Sequence, residues 1–140
     1  MDGCCMNDVV REWIAKAEAD YATARRESAV RRLPNYDAVC FHSQQCIEKH
    51  LKAVIIAHGS IPPKTHDLVT LGRIVVNVCR GMRLPEDQLQ LLSRAAVNFR
   101  YPGETADKDD ARITLKVCRQ LRSTVRRAIL STTCSRRTSA

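Results

Sequence analysis

The segment between Asp37 and Ala53 constrains the fold most, because helix-forming residues there carry apolar side chains on nearly every face. A helix that is apolar on one stripe lies on a surface, whereas a helix that is apolar almost all round is covered by other elements. The segment is therefore predicted to be the central helix of a helical domain.

Four polar residues interrupt this helix along one strip, namely Gln45, Glu48, Lys49 and Lys52. Buried amides and charges need partners, and Glu48 and Lys52 are four residues apart, so they can pair with each other. The remaining partners must come from other elements or from a ligand. A hydrogen-bond network that fixes helix register is one interpretation of the strip, and a functional site is the other.

The composition favours an all-α fold in a single domain. The chain has 140 residues with only five Gly and five Pro, and few runs alternate β-branched with polar residues. We expect an antiparallel up-and-down bundle of about five helices over residues 7–130, because short links join long helices. Residues 1–6 and 131–140 are predicted to be disordered tails.

Capping residues and turn signals place the first two helices. Asn7 can cap the first helix, which is predicted to run to about Arg32. The second is predicted from about Tyr36 to Ala57 and ends before a break that contains Gly59 and two prolines. The inward stripe of the first helix consists of Trp13, Ala17, Tyr21 and Ala24.

Similar signals place the other three helices. Thr65 is a plausible N-cap for the third, and Pro85 suits the first turn of the fourth. The fourth ends at Tyr101-Pro102-Gly103. Asp107 caps the fifth, which is predicted to end near Leu130.

The sequence predicts a soluble cytoplasmic protein with no membrane contact. No apolar run approaches the roughly 18 residues of a membrane span, and the first residues lack the pattern of a signal peptide. The seven cysteines are an odd number, and the four in core-like helical positions are expected to be reduced. These four are Cys40, Cys46, Cys79 and Cys118.

The charge of the chain is concentrated near its end. Residues 111–140 contain no Asp or Glu, and their eight Lys and Arg account for the whole net charge of +8. Six of them are predicted to form a basic surface on the last helix, opposite its apolar face. This surface is either a solvated helix face or a contact for phosphate or an acidic partner. The six are Arg112, Lys116, Arg119, Arg122, Arg126 and Arg127.

His42, Cys46 and His50 recur every four residues on the second helix and invite the hypothesis of a metal site. At a rise of 1.5 Å per residue, the outer two lie about 12 Å apart and cannot bind one ion. We therefore predict no metal site and no cofactor.

Three segments stand in an order that resembles the HEPN (higher eukaryotes and prokaryotes nucleotide-binding) domain family. They are a Phe-x-x-Gln-Gln-x-x-Glu-Lys-x-Leu-Lys-Ala run over 41–53, Thr-His-Asp-Leu over 65–68, and Arg-Tyr-Pro over 100–102. The resemblance implies an antiparallel helical bundle that commonly dimerises, with a cleft at or near the dimer interface. It also implies a minimal nucleotidyltransferase as partner, in a pair that resembles a toxin-antitoxin module.

The same resemblance implies a ribonuclease motif that this chain only partly carries. Family toxins use Arg-x4-His-x-Tyr, and the best alignment here starts at Arg94 and ends at Tyr101, with Phe99 in place of the histidine. A phenyl ring cannot carry a proton, so we expect no cleavage through this motif.

The candidate ligand-binding residues are Glu48, Lys52, Arg100 and Tyr101. Arg100 can bind a phosphate in bidentate fashion, and Tyr101 can stack on a base. Arg94, Arg100 and His66 are the catalytic candidates, although His66 is expected to be a packing or capping residue because a helix N-terminus disfavours its charged form.

Together these features predict a HEPN-type binding protein that binds a nucleotide or RNA and acts with a nucleotidyltransferase. The alternative is a HEPN ribonuclease toxin with a degenerate active site. A general RNA-binding protein would fit the charge but not the six aromatic residues, of which three are needed in the core.

Overall fold

Five α-helices make up the described part of the chain. The computed structural model describes residues 7–138, with side chains described for residues 7–130. No strand occurs within the part of the chain that it describes. The helices are α1 (Asp8–Ser28), α2 (Tyr36–Ala57), α3 (Leu68–Val78), α4 (Glu86–Asn98) and α5 (Lys108–Thr138). The predicted all-α up-and-down bundle is therefore confirmed.

Helix α2 is the centre of the bundle, as predicted from its apolar faces. It packs against each of the other four helices. Thirteen of its 22 residues are buried, against five of 21 in α1. Because every other helix covers one side of α2, the polar groups on α2 meet side chains from several elements.

Side-chain caps fix the starts of α1 and α5 where the sequence predicted them. The side chain of Asn7 accepts a hydrogen bond from the backbone of Val10 at 2.9 Å. At the start of α5, Asp107 Oδ1 accepts from Asp110 N at 2.8 Å while Asp110 Oδ2 accepts from Asp107 N at 2.9 Å. These bonds satisfy backbone donors that a helix N-terminus leaves free.

Thr65 is not the cap of α3, so that prediction was wrong. Asp67 is the N-cap residue and accepts a hydrogen bond from Val69 N at 3.2 Å. Thr65 instead accepts from Asp67 N at 3.1 Å and so stabilises the turn before the helix. An aspartate two residues further on provides an equally good cap, and the helix starts there.

Helix α1 ends at Ser28, earlier than the predicted Arg32. The chain turns after Ser28, so that the side chain of Glu27 accepts a hydrogen bond from Asn35 N at 2.6 Å. Leu33 adopts a positive φ of 51° within this turn. The residue before a proline is disfavoured in the helical region, so Pro34 prevents α1 from continuing through Leu33.

Helix α5 continues past the predicted end near Leu130 to Thr138. Its sequence contains neither Gly nor Pro, so no residue breaks the hydrogen-bond ladder. The predicted disordered tail is thus helical over 131–138, and residues 1–6 and 139–140 lie outside the described residues.

Helices α3 and α4 approach each other closely at Gly72. A Cβ on this residue would lie 2.5 Å from Leu89 Cδ1 in the core. Leu68 N, at the start of α3, donates to Ser93 Oγ of α4 at 3.3 Å. The two helices are therefore held together both at Gly72 and at the start of α3.

The four cysteines predicted to be reduced are free thiols, three of them buried. None of the helices within residues 7–138 is long and apolar enough to cross a membrane.

Candidate functional site

A cleft of about 520 Å³ opens between α2, the start of α3 and the end of α4. Its walls combine a half-exposed aromatic ring and aliphatic groups with amides, an imidazole and a guanidinium. The lining residues are Phe41, Gln44, Gln45, His66, Asp67, Ser93, Ala96, Val97 and Arg100. A cleft that is largely apolar with a few convergent polar groups is typical of a small-molecule site.

Directly behind the α2 wall lies the carboxylate of Glu48, whose side chain is only 5% exposed. Its Oε1 accepts from Gln44 Nε2 at 3.1 Å, and its Oε2 accepts from Lys52 Nζ at 3.1 Å. His66 Nδ1 lies 3.1 Å and 3.2 Å from the two oxygens. The Glu48 cluster, as we call Glu48, Gln44, Lys52 and His66, thus joins α2 to the segment before α3.

Two opposing effects set the pKa of Glu48. Burial raises it, and hydrogen bonds from Gln44, Lys52 and His66 lower it. The hydrogen bonds prevail, so the pKa of Glu48 lies below its ordinary value of 4.5 and the group is ionised near neutral pH.

His66 is neither a packing residue nor a cap, contrary to the sequence-based expectation. Its side chain is 83% exposed at the mouth of the cleft, while Nδ1 is bound to Glu48. The neighbouring Asp67 provides the cap of α3 instead. Sequence reasoning missed this pair because the two residues are 18 positions apart on different elements.

Arg100 lines the cleft, whereas none of the three positions of the partial toxin motif does. Arg94 is exposed on α4 outside the cleft, and Tyr101 is 64% exposed without lining it. Phe99 packs beside a small cluster formed by Cys40, Ala95 and Ala106. Of the predicted ligand-binding residues, the structure therefore brings Arg100 to the cleft and Glu48 just behind it.

Lys52 does not reach the cleft. It is buried between Glu48 and Trp13, with Nζ 5.9 Å from the centre of the Trp13 ring. Lys49, from the same predicted strip, binds Asp20 of α1 at 2.5 Å. Gln45 donates to Gln44 at 2.8 Å, so all four polar residues of the strip have protein partners, as the burial of Glu48 and Lys52 requires.

Three of the six residues in the predicted basic surface of α5 contact α1. Arg122 binds Glu18 of α1 through two hydrogen bonds of 2.6 Å and 2.5 Å, and Arg126 binds the same carboxylate. Arg119 donates to Tyr21 Oη at 3.2 Å. These three arginines contact α1 because α5 packs beside it. Arg122 and Arg126 are half-buried there, whereas Arg119 is exposed, as are Arg112, Lys116 and Arg127.

A second histidine and carboxylate meet between α1, α2 and α5. His50 is fully buried, and its Nε2 lies 3.7 Å from Glu18 Oε2. Its Nδ1 lies 2.9 Å from Cys46 O. The Glu18 cluster, as we call Glu18, His50, Arg122 and Arg126, was not predicted because only the packing of α1 on α5 brings it together.

The three residues considered for metal binding have other contacts. His42 binds Asp20 at 2.7 Å, and Cys46 Sγ lies 3.5 Å from His50 Nδ1. Within the described residues, no group of three His, Cys, Asp or Glu side chains could hold a metal ion.

Within the described residues, the structure is a small all-α bundle of five helices with a largely apolar cleft beside its central helix. A family model described as "HEPN domain" matches residues 10–128 of this chain. The chain therefore belongs to the HEPN domain family, which confirms the resemblance carried by its three sequence segments.

Two solved structures share the fold. TT1696 from Thermus thermophilus is 22% identical with a TM-score of 0.71, covering 88% of this chain and 99% of its own. ST0689, described as an archaeal HEPN homologue, is 24% identical with a TM-score of 0.61, covering 86% of this chain and 97% of its own. Among curated proteins the comparison gives no match.

Proposed function

We propose that this HEPN protein binds the phosphate of a nucleotide or RNA in the cleft between α2, α3 and α4. The observation that supports the proposal most is Arg100, an exposed guanidinium that lines the cleft. Its side chain forms no hydrogen bond or ion pair with the described residues. A guanidinium without a carboxylate partner is suited to bidentate contact with a phosphate.

The other cleft residues suit the rest of a nucleotide. The ring of Phe41 is 38% exposed and provides a stacking surface beside the amides of Gln44 and Gln45. Stacking on an aromatic ring contributes to binding of every base, whereas the amide of Gln45 can contact a base edge. Glu48 does not repel the phosphate strongly, because its charge is already balanced by Lys52.

A homodimer that acts with a minimal nucleotidyltransferase, in a pair resembling a toxin-antitoxin module, completes the proposal. Three exposed apolar side chains lie at or near the cleft, namely Phe41, Val97 and Tyr101. A second copy of the chain would remove this apolar area from water. Light scattering of the purified protein tests the dimer, and co-purification from native cells tests the nucleotidyltransferase.

Titration calorimetry with AMP, ATP and a short RNA oligonucleotide tests the cleft itself. We expect Arg100→Ala to weaken binding about tenfold or more, because a charged hydrogen-bond donor is lost. Arg94→Ala is the matched control, since it removes the same charge from the same region outside the cleft. Equal effects of both substitutions, or no binding by the wild type, would contradict the proposal.

The alternative function is a HEPN ribonuclease. One specific observation favours it: an exposed histidine, His66, is bound to a buried carboxylate at the mouth of the same cleft. The absence of the motif histidine at position 99 is then no obstacle in itself, because a proton acceptor is available on a different element.

A further inference from the structure

Three guanidinium groups meet at one tyrosine between α1 and α5. Tyr21 of α1 is only 8% exposed. Arg25 Cζ and Arg122 Cζ lie 5.7 Å and 4.3 Å from the centre of its ring, and Arg119 Nε donates to its hydroxyl oxygen at 3.2 Å. We call these four residues the Tyr21 cluster. One buried ring thus brings together arginines from two helices.

Positive charge around this ring exceeds the negative charge that contacts it. Glu18 binds both Arg122 and Arg126. The hydrogen bond from Arg122 is the main cause of its lowered pKa, so Glu18 is ionised near neutral pH. Arg25 and Arg119 form no ion pair with any described residue. Among the described residues, four guanidiniums therefore share one carboxylate.

Tyr21 holds its exposed arginines together although their charges repel. Like charges at short range repel, and exposed side chains that are free to move apart reduce this cost. Here Arg25 is attracted to the ring, and Arg119 is bound to the hydroxyl. A guanidinium has five N–H donors, and the bond to Tyr21 uses one of those of Arg119. Most donors of both exposed groups thus remain available to a ligand.

The chemistry of the cluster favours a ligand with several negative charges. Guanidinium groups bind phosphate oxygens in bidentate fashion, and their charge does not depend on pH. A single carboxylate would offset only one of the unpaired charges, whereas two or three linked phosphates can offset all of them. An oligophosphate therefore fits the cluster better than a monovalent anion does.

We propose that the Tyr21 cluster binds an oligophosphate, such as a diphosphate or triphosphate group, on the α1–α5 face. Arg25 and Arg119 contact the phosphate oxygens, and Tyr21 is the positioning residue that holds them. Arg122 adds positive charge while it remains bound to Glu18. None of these residues lines the cleft, so the inference does not rest on the proposed function. The ligand is a free inorganic oligophosphate or the phosphate tail of a nucleotide.

Titration calorimetry of the full chain with inorganic tripolyphosphate tests the proposal. The measurement is made at about 0.15 M salt, where attraction between distant charges is largely screened. We expect the wild type to bind one tripolyphosphate per chain. Arg25→Ala and Arg119→Ala should each weaken binding about tenfold, because each removes a charged hydrogen-bond donor.

Two matched controls separate this contact from the general attraction of a chain with net charge +8 to polyanions. Arg26→Ala and Arg127→Ala remove the same charge from exposed positions of the same two helices. Their side chains bind Thr23 and the carbonyl oxygen of Ser123, respectively. Each control should change the affinity for tripolyphosphate less than about twofold, which is the effect of distant charge alone.

Tyr21→Phe tests the positioning role separately. The substitution keeps the ring that Arg25 contacts and removes the hydroxyl that accepts from Arg119. We expect about threefold weaker binding of tripolyphosphate in the wild-type background and no further loss in the Arg119→Ala background. Additive losses would show that the hydroxyl does not act through Arg119. The melting temperature of each variant without ligand shows whether it is folded.

ATP distinguishes the two sources of the ligand. Tripolyphosphate that binds more tightly than ATP would identify a free oligophosphate. ATP binding that is tighter, persists in Arg100→Ala and is weakened in Arg119→Ala would identify a nucleotide tail. Arg100→Ala should leave tripolyphosphate binding unchanged, because Arg100 lines the cleft on the other helices.

The outcomes separate this inference from the proposed function. No binding of tripolyphosphate by the wild type would overturn the inference and leave the cleft function standing. Equal losses in all four single arginine variants of α1 and α5 would also overturn it, because the attraction would then be general. Tripolyphosphate binding that is lost in Arg100→Ala and retained in Arg119→Ala would place the anion in the cleft and contradict the Tyr21 site.

Discussion

The Glu48 and Glu18 clusters contain similar groups and differ in their access to solvent. Each has one carboxylate, one histidine and one or two cations. His66 in the first is 83% exposed, whereas His50 in the second is 0% exposed. The residue types alone therefore do not distinguish a site from a structural contact; the position of the histidine relative to the surface does.

The two clusters also differ in which helix their cations come from. In the Glu18 cluster, two arginines converge on one carboxylate and hold α1 against α5. The hydrogen bond from Arg122 is the main cause of the lowered pKa of Glu18, and burial opposes it. In the Glu48 cluster, the cation comes from the same helix one turn away, so it balances charge without joining two helices. The Glu18 cluster connects two helices, whereas the Glu48 cluster connects α2 to the segment before α3 and leaves its histidine exposed.

The largest effect on stability is expected for Glu18→Ala. It leaves two arginines and His50 without their shared carboxylate, which should cost about 3 kcal/mol of unfolding free energy. Urea unfolding followed by circular dichroism measures the loss. Glu86→Ala is the control, since it breaks an exposed ion pair with Arg73 and should cost much less. Equal losses would show that the Glu18 cluster does not join the helices as described.

Replacing His50 and His66 by alanine should reduce the free energy of unfolding by clearly different amounts. His50→Ala removes a fully buried ring and leaves a cavity, which should cost about 2 kcal/mol. His66→Ala removes an exposed ring and should cost about 0.5 kcal/mol or less. The same unfolding measurement applies to both. If His66→Ala lost more unfolding free energy than His50→Ala, the description of His66 as an exposed group and His50 as a structural one would be wrong.

Gly72→Ala perturbs the cleft walls without touching the Glu18 cluster. The new methyl group would collide with Leu89 in the core, and the gain in helix propensity offsets only part of that cost. We expect a net loss of about 1 kcal/mol and weaker nucleotide binding. Asn77→Ala, at an exposed position of the same helix, should leave both unchanged. Unaltered stability in Gly72→Ala would mean that α3 and α4 can separate freely.

The smallest expected effect is the loss of stability in acid. It should be similar for the ion pairs of the Glu18 and Glu48 clusters. The pKa values of Glu18 and Glu48 are both below the ordinary 4.5, so each ion pair stabilises the fold fully above about that pH. This contribution is lost as the pH falls through the lowered pKa of the folded state. The stability difference between wild type and Glu18→Gln, or Glu48→Gln, should therefore shrink below pH 4.5 in urea titrations. A difference that stays constant to low pH would exclude ionic pairing.

The sequence predicted the fold well because helical periodicity is local information. The central position of α2, the Glu48–Lys52 pair and the Asp107 cap all follow from residues within a few positions of one another. Helix ends were less accurate, since Ser28 and Thr138 depend on turn geometry and on the absence of helix breakers.

The site was predicted only in part because it is assembled from residues far apart in the chain. Arg100 was singled out through the family motif, and Glu48 through its strip on α2. The bond from His66 to Glu48 spans 18 positions, and the bonds from Arg122 to Glu18 span 104. No local pattern carries such pairings, although a histidine in Thr-His-Asp-Leu beside a capping aspartate was a usable signal.

The environment of Phe99 has a practical consequence for engineering. Its ring packs beside Cys40 and Ala106 at the corner between α4 and α5, away from the residues that line the cleft. The substitution Phe99→His, which would complete the toxin motif Arg-x4-His-x-Tyr, would therefore place an imidazole among apolar neighbours.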